Sequence, residues 1–357
     1  MTHGTHSPGH APTLKMGVPI PNGKLGMWLF LGTEIMFFTA FIGTYIVLRW
    51  GSPGWPTDPN VTHIRVALGA INTFVLICSS VSVVLAHEAM SLRNYQKATK
   101  FLGLTLALAC VFLGIKSVEY AGKIQHDILP GHVAESQEGA RDKLVRELDG
   151  AAGGLALRSE LEKVKSALAL GTGKKSDLEA QQKALTEKLA LVGRVEAAYA
   201  PLKEQLRAGN ITLLESRGKL AALKELFSGR SEELETHDER EKTVIEAAKS
   251  RELAALEQRV PVEDQKLFRD QFANIFNGVH DPHVIVYGNT FASIYFLMTG
   301  FHAVHVLIGM LMFGMLLWRG LTNTLGPDQE LFVENAGLYW HFVDLVWIFL
   351  FPLLYII

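Results

Sequence analysis

Apolar residues along this chain fall into five long runs, at 25–48, 66–85, 101–118, 287–318 and about 338–357, with one extended polar tract between the third and the fourth. A hydrocarbon core about 30 Å thick needs roughly 20 apolar residues at a helical rise of 1.5 Å, so each run predicts a transmembrane helix. The polar tract has a different period. Leu157, Leu161, Val164 and Leu168 step by four, three and four, and Leu178, Leu185, Leu189, Val192 and Tyr199 keep heptad spacing, continued by Leu213, Leu220, Leu223 and Phe227. Breaks are expected at 171–173, Pro201, Gly209, Gly229 and Pro261, with capping boxes at Ser176 with Glu179 and Thr212 with Glu215. The fold class that follows is all-α: a polytopic bundle of five transmembrane helices carrying an inserted antiparallel coiled coil, helical hairpin or four-helix unit. The expected division is a tail at 1–24, membrane helices one to three at 25–126, the insertion at 127–283 and helices four and five at 284–357.

Composition alone hides this. Mean hydropathy is only +0.18 over 357 residues, because roughly 50 of the charged side chains crowd between Glu135 and Gln271 and almost none lie in the apolar runs. The two signs are nearly balanced, with a net charge of -2, which argues against a nucleic-acid partner. Glu232, Glu233, Glu235, Asp238, Glu239 and Glu241 form one acidic cluster, read first as a solvated helix face. Cys78 and Cys110 lie within apolar runs, outside any paired motif, and are expected to pack as small apolar residues. No cleaved signal peptide is expected. Lys15, Lys24, Arg93, Lys97, Lys100 and Arg319 fall on one side of a five-span topology, which predicts a cytoplasmic N-terminus, with the C-terminus and the insertion external.

The candidate chemistry lies in polar residues where a membrane helix has least use for them. Glu34 sits about nine residues into the first run, where a carboxyl group costs about 2.5–3.5 kcal/mol unless it is neutral or paired. His302 and His305 share one face of the fourth helix, and His341 and Asp344 one face of the fifth. These five are read as a proton-carrying or structural hydrogen-bond network. His87, Glu119 and Tyr120 mark interfacial ends, Glu119 being placed at a wet one. Lys24 precedes the first run, and Gly300, Ala303, Gly309 and Gly314 are expected to thin the fourth helix for a close neighbour. His3, His6 and His10 lie in the tail as a disordered terminus or a proton-collecting cluster. Histidine pairs without further converging ligands or thiolates give no redox-metal site, and no catalytic residue is assigned.

The stretches GMWLFLGTEIMFFTAFIGTYI, SVEYAGKI, YGNTFASIYFLMTGFHAVHVLIGM and GLYWHFVDLVWIFLFPLLYI resemble, in order, signatures of subunit III of the haem-copper terminal oxidases. The resemblance implies a non-catalytic subunit of a proton-pumping oxidase in a bacterial cell membrane. It would bind subunit I (in a complex with subunit II) and phospholipid, support proton uptake and hold no cofactor of its own, haem and copper residing in partner subunits. It also implies that Glu34 is the family's carboxylate facing subunit I and Glu119 the acid of its Glu-Tyr pair. Two features depart from the family pattern: the two helices that precede the Glu-bearing one in seven-helix members have no counterpart here, and the insertion is foreign to it. The insertion could meet an external electron donor, cytochrome c and quinol remaining open. The alternatives are a transporter or proton channel, or a membrane-anchored coiled-coil scaffold.

Overall fold

A computed structural model describes residues 21–170, 174–231, 236 and 238–356. Twelve α-helices are described: α1 Asn22–Gly51, α2 Pro59–Thr62, α3 Val66–Ser91, α4 Tyr95–Gln125, α5 Gln137–Ala151, α6 Gly154–Leu170, α7 Lys175–Ala208, α8 Leu213–Ser228, α9 Glu239–Arg259, α10 Val262–Gln271, α11 Gly288–Leu321 and α12 Glu330–Phe351. Among the described residues, α1, α3, α4, α11 and the stretch Pro327–Ile356 containing α12 are long and apolar enough to cross a membrane. The helices overrun the apolar runs that predicted them, because polar and aromatic turns at the interface remain helical. The fifth shows this most: a 3₁₀ turn at Pro327–Gln329, closed by the Gly326 N–H donating to Gln329 Oε1 at 2.7 Å, starts the helix at Glu330, not near residue 338.

The chain forms two compact units. One comprises the described residues up to Leu48, Arg65–Ser117 and those from Phe296 onward; the other comprises Arg49–Ile64 and Val118–Tyr295, so α4 and α11 each begin in one unit and end in the other.

In the first unit α3 and α12 lie antiparallel along a seam that pairs small or hydroxylated residues of α3 with aromatics of α12. The Trp340 indole N–H donates to Ser79 Oγ at 2.9 Å and that of Trp347 to Thr73 Oγ1 at 3.0 Å. Gly69 receives the Phe351 and Tyr355 rings: a Cβ there would lie 2.7 Å from Phe351 Cε2. An indole N–H without a partner in hydrocarbon would cost several kcal/mol, so the hydroxyls of α3 fix the register.

The second unit holds the insertion. Six helices, α5 to α10, are described there, in place of the expected hairpin or four-helix unit. Their core joins Leu144 and Leu148 of α5, Val195, Tyr199 and Leu202 of α7, Leu223 and Phe227 of α8, Leu256 of α9 and Phe268 of α10. Phe227 stacks on Phe268 with ring centres 4.5 Å apart, and Phe276 meets it edge-on at 5.0 Å. Gly209 and Gly229 end α7 and α8 in the left-handed conformation, as expected of glycine at these positions. Pro201, expected to break a helix, lies inside α7. Proline has no N–H for the Ala197 carbonyl four residues back, and Arg259 Nη2 donates to the adjacent Ala198 carbonyl at 2.8 Å. Ser176 does not cap α7, which begins after Lys174 without a side-chain cap. Of the acidic cluster, Glu232, Glu233 and Glu235 lie outside the described residues, as do His3, His6 and His10.

The Thr212–Glu215 capping box is formed, Glu215 accepting from the Thr212 N–H at 3.1 Å and its own N–H donating to Thr212 Oγ1 at 3.2 Å. The backbone bond from Thr212, followed by its side-chain bond, holds the Glu215 carboxyl below the usual range. A carboxylate with a lowered folded pKa contributes stability that is present above its unfolded value, about 4.3, and is lost as the pH falls through the folded value. Thr212→Ala is expected to destabilise the insertion by about 1 kcal/mol at neutral pH. Urea titration followed by limited proteolysis within residues 137–271 should show the deficit, and it should shrink on acidification below about pH 4.

Candidate functional site

The polar residues of the first unit fall into three groups, not one network. In the first, Glu34 of α1 faces His305 of α11, with Oε2 and Nε2 3.0 Å apart. The His305 Nδ1–H donates to the Phe301 carbonyl at 2.8 Å, because a carbonyl can only accept. That bond leaves Nε2 to settle the chemistry with Glu34. Either Glu34 is protonated and donates to Nε2, or imidazolium Nε2–H donates to the carboxylate; a carboxylate facing a bare Nε2 lone pair would be repulsive. The pair therefore keeps one proton between Oε2 and Nε2. Phe38, 5.2 Å from the His305 ring between centres, and Tyr339, stacked at 6.3 Å, wall it in. The carboxyl side chain remains 20% exposed, against 10% for the imidazole.

The second group lies on the α3–α12 seam, where Ser80 Oγ is 2.6 Å from His341 Nδ1. Asp344, one turn further along α12, is 7% exposed, and its Oδ1 has no hydrogen-bond partner among the described residues. The third surrounds His302, which is 1% exposed. Neither of its ring nitrogens has a hydrogen-bond partner among the described residues. Its ring packs against Trp347 at 5.1 Å and edge-on to Phe112 at 5.7 Å. Beside it is a residue that the sequence reading passed over, Lys116, buried inside α4. Its ammonium donates to Tyr355 Oη at 2.7 Å and lies 5.0 Å above the Trp347 ring. Aromatic faces and a phenol oxygen stabilise this cation where water does not. A lysine two residues before the end of an apolar run was the available signal.

Glu119 belongs to the second unit and is not at a wet end. It is 4% exposed and accepts a short hydrogen bond from Tyr295 Oη. Lys123, one turn on and 1% exposed, donates to the Thr62 carbonyl at 2.9 Å and lies 4.4 Å from the Tyr295 ring centre. Tyr120 is half-buried, its ring edge-on to Tyr295 at 6.4 Å. The segment 49–64 and the first turns of α11 cover this end of α4, which the apolar pattern of α4 alone does not disclose. His87 is half-buried near the end of α3.

The family model of cytochrome c oxidase subunit III matches residues 1–125 and 276–357, which together hold all five spans and every polar group described above. The chain belongs to the cytochrome c oxidase subunit III family. The residues between the two matched parts, 126–275, contain α5 to α10. Among curated relatives, cytochrome c oxidase subunit 3 of Alkalihalophilus pseudofirmus is 35% identical over 99 residues, 28% of this chain and 47% of that protein. The subunit 3 of Thermostichus vulcanus is 44% identical over 70 residues, 19% of this chain and 35% of its own, and that of Synechocystis 46% over 70, 19% and 30%. The alignments thus span less than half the length of these relatives. The family assignment accords with a chain that holds no redox centre of its own.

Of the three glycines that were expected to thin α11, Gly309 is the one in close contact. A Cβ there would lie 2.6 and 2.7 Å from Cε3 and Cζ3 of Trp340, whereas Gly300 and Gly314 face open space. Gly309→Val is expected to push the Trp340 ring off Ser79 and cost about 1–3 kcal/mol, read as a lower melting temperature of the purified protein, with Gly314→Ala as the silent control.

Proposed function

We propose that this chain is the non-catalytic subunit III of a proton-pumping haem-copper oxidase, binding subunit I and supporting proton uptake into it. The observation that carries the reading is the Glu34–His305 pair, which holds a proton within the membrane-spanning part of the chain, on a helix most of whose large apolar side chains are exposed. Met36 is 75% exposed and Leu29 66%, as befits a face that meets lipid or a partner helix. A carboxyl–imidazole pair can pass its proton on without leaving a bare charge in low dielectric, the property wanted in a group that feeds protons to a neighbour. Haem and copper reside in partner subunits, subunit II and phospholipid complete the surroundings, and the membrane is a bacterial cell membrane.

Purification in mild detergent should bring down co-eluting chains with haem absorption; a transporter or channel would behave as a self-contained unit without haem. Glu34→Gln keeps a donor towards His305 Nε2 but has no proton to pass on. The variant complex should assemble with unchanged haem content and show altered proton-linked turnover; failure to assemble would make the pair structural only.

The N-terminus is proposed to be cytoplasmic, with the insertion and the C-terminus external, where a soluble electron donor could meet the insertion. Protease added to right-side-out vesicles should cut within 137–271 and spare the N-terminal tail. The opposite pattern overturns the orientation and the donor contact with it. Replacing residues 135–271 by a short Gly/Ser linker should leave membrane insertion and subunit association intact.

A further inference from the structure

Where the chain runs into and out of the insertion, three segments far apart in sequence bring unlike metal-ligating groups together. Asp127 follows α4, Glu147 lies on α5 and His280 precedes α11, and one ligand atom from each lies within 4.8 Å of the others. A fourth group stands beside them: His132 Nδ1 is 3.2 Å from Asp127 Oδ1. Glu147 is oriented by the His280 backbone N–H, which donates to Oε2 at 2.8 Å, while His280 Nδ1 faces Oε1 at 3.2 Å. The cation now serving this cluster is Lys143, whose Nζ is 2.7 Å from Asp127 Oδ2 but 4.0 Å from Glu147 Oε1. One ammonium therefore answers two carboxylates, and it reaches only one of them well. A small cavity opens beside it, lined by Lys143, Glu147, His280 and Asp281.

We propose that this cluster is a binding site for a divalent transition metal of the zinc type, with Asp127, Glu147 and His280 as ligands and His132 as the fourth. Two imidazoles and two carboxylates suit Zn²⁺ and disfavour Mg²⁺ and Ca²⁺, which take oxygen. Bonds of about 2.0–2.1 Å put tetrahedral ligands about 3.3 Å apart, so the groups contract around the ion as the Lys143 ammonium swings out. Because the ligands come from both ends of the insertion and from its first helix, the metal clamps those ends together and stabilises the unit by mass action. A redox-inert ion in this place is compatible with a subunit that carries no electrons.

The test uses the full chain with His3, His6 and His10 replaced by Ala, so that the tail cannot hold metal. The protein is purified in detergent, stripped with chelator and equilibrated with Zn²⁺ alone, and bound metal is counted after gel filtration. One Zn²⁺ per chain is expected, unaffected by excess Mg²⁺, with His280→Ala and Asp127→Asn each weakening binding at least about ten-fold. Where a variant fails to fold, Glu147→Gln, which keeps the side-chain shape, replaces it. Lys143→Met separates a metal site from a plain ion-pair cluster: it should tighten Zn²⁺ binding, and Zn²⁺ should restore any protease resistance lost within 137–271. No bound Zn²⁺ on an intact insertion, binding indifferent to these substitutions, or a Lys143→Met variant that Zn²⁺ neither binds more tightly nor protects, each overturns the proposal.

Discussion

A lipid-embedded helix must find an internal partner for every polar group, and in this protein that demand falls hardest on α12, which carries two tryptophans, a histidine and an aspartate within eight residues. The answer lies on α3. Thr73, Ser79 and Ser80 are placed so that an antiparallel α12 sets an indole N–H or imidazole against each hydroxyl. Between lipid-exposed helices there is little hydrophobic gain on association, so close packing and interhelical hydrogen bonds hold the pair. Gly69 at one end of the seam makes room for the Phe351 and Tyr355 rings, and Gly337 at the other packs against Val83. With α12 fixed, Trp340 meets Gly309 of α11 and Tyr339 donates to the His305 carbonyl at 3.0 Å. The seam thereby sets the place of the imidazole that Glu34 uses.

Dividing the intramembrane polar residues into separate groups has a physical logic. Each group finds its partners locally: Glu34 against His305, Ser80 against His341, and the Lys116 ammonium over aromatic faces. A continuous wire of titratable groups through the chain would offer protons a path across it, a liability in a subunit whose neighbours are proposed to do the pumping.

The five spans and the inward histidine face of α11 were legible from apolar run length and three-residue spacing, since both follow from local geometry. Glu119 was not: its burial depends on Tyr295 and on residues 49–64, distant in sequence and silent in the pattern of α4. Lys116 was masked by averaging, for one charge in a long apolar run barely alters its hydropathy. In the insertion, glycine punctuation at Gly209 and Gly229 and the capping box at Thr212 could be read because each acts within a turn of itself. Pro201 misled because a long helix packed on both sides of it can carry the loss of one backbone hydrogen bond. Heptad spacing marked which faces are apolar without saying how many helices share the core, and aromatics such as Phe268 and Phe276, outside any heptad run, turned out to complete it.

The chain segments that flank the insertion are tied to each other. Asn289 clasps Val133 through both backbone groups, accepting from its N–H at 3.0 Å and donating to its carbonyl at 2.8 Å, and the Ile285 N–H donates to the Ala134 carbonyl at 3.0 Å. A floppy connection of about 150 residues would cost the bundle roughly 3 kcal/mol more in closure entropy than a tight turn, at about 0.6 kcal/mol for each doubling of length. With its mouth clasped and its interior folded, the same stretch behaves towards α4 and α11 as a turn of a few residues. Acquiring or shedding such a module in the course of descent would then leave the membrane helices almost indifferent, and the clasp, rather than the domain it closes, is the part that selection on the bundle could see.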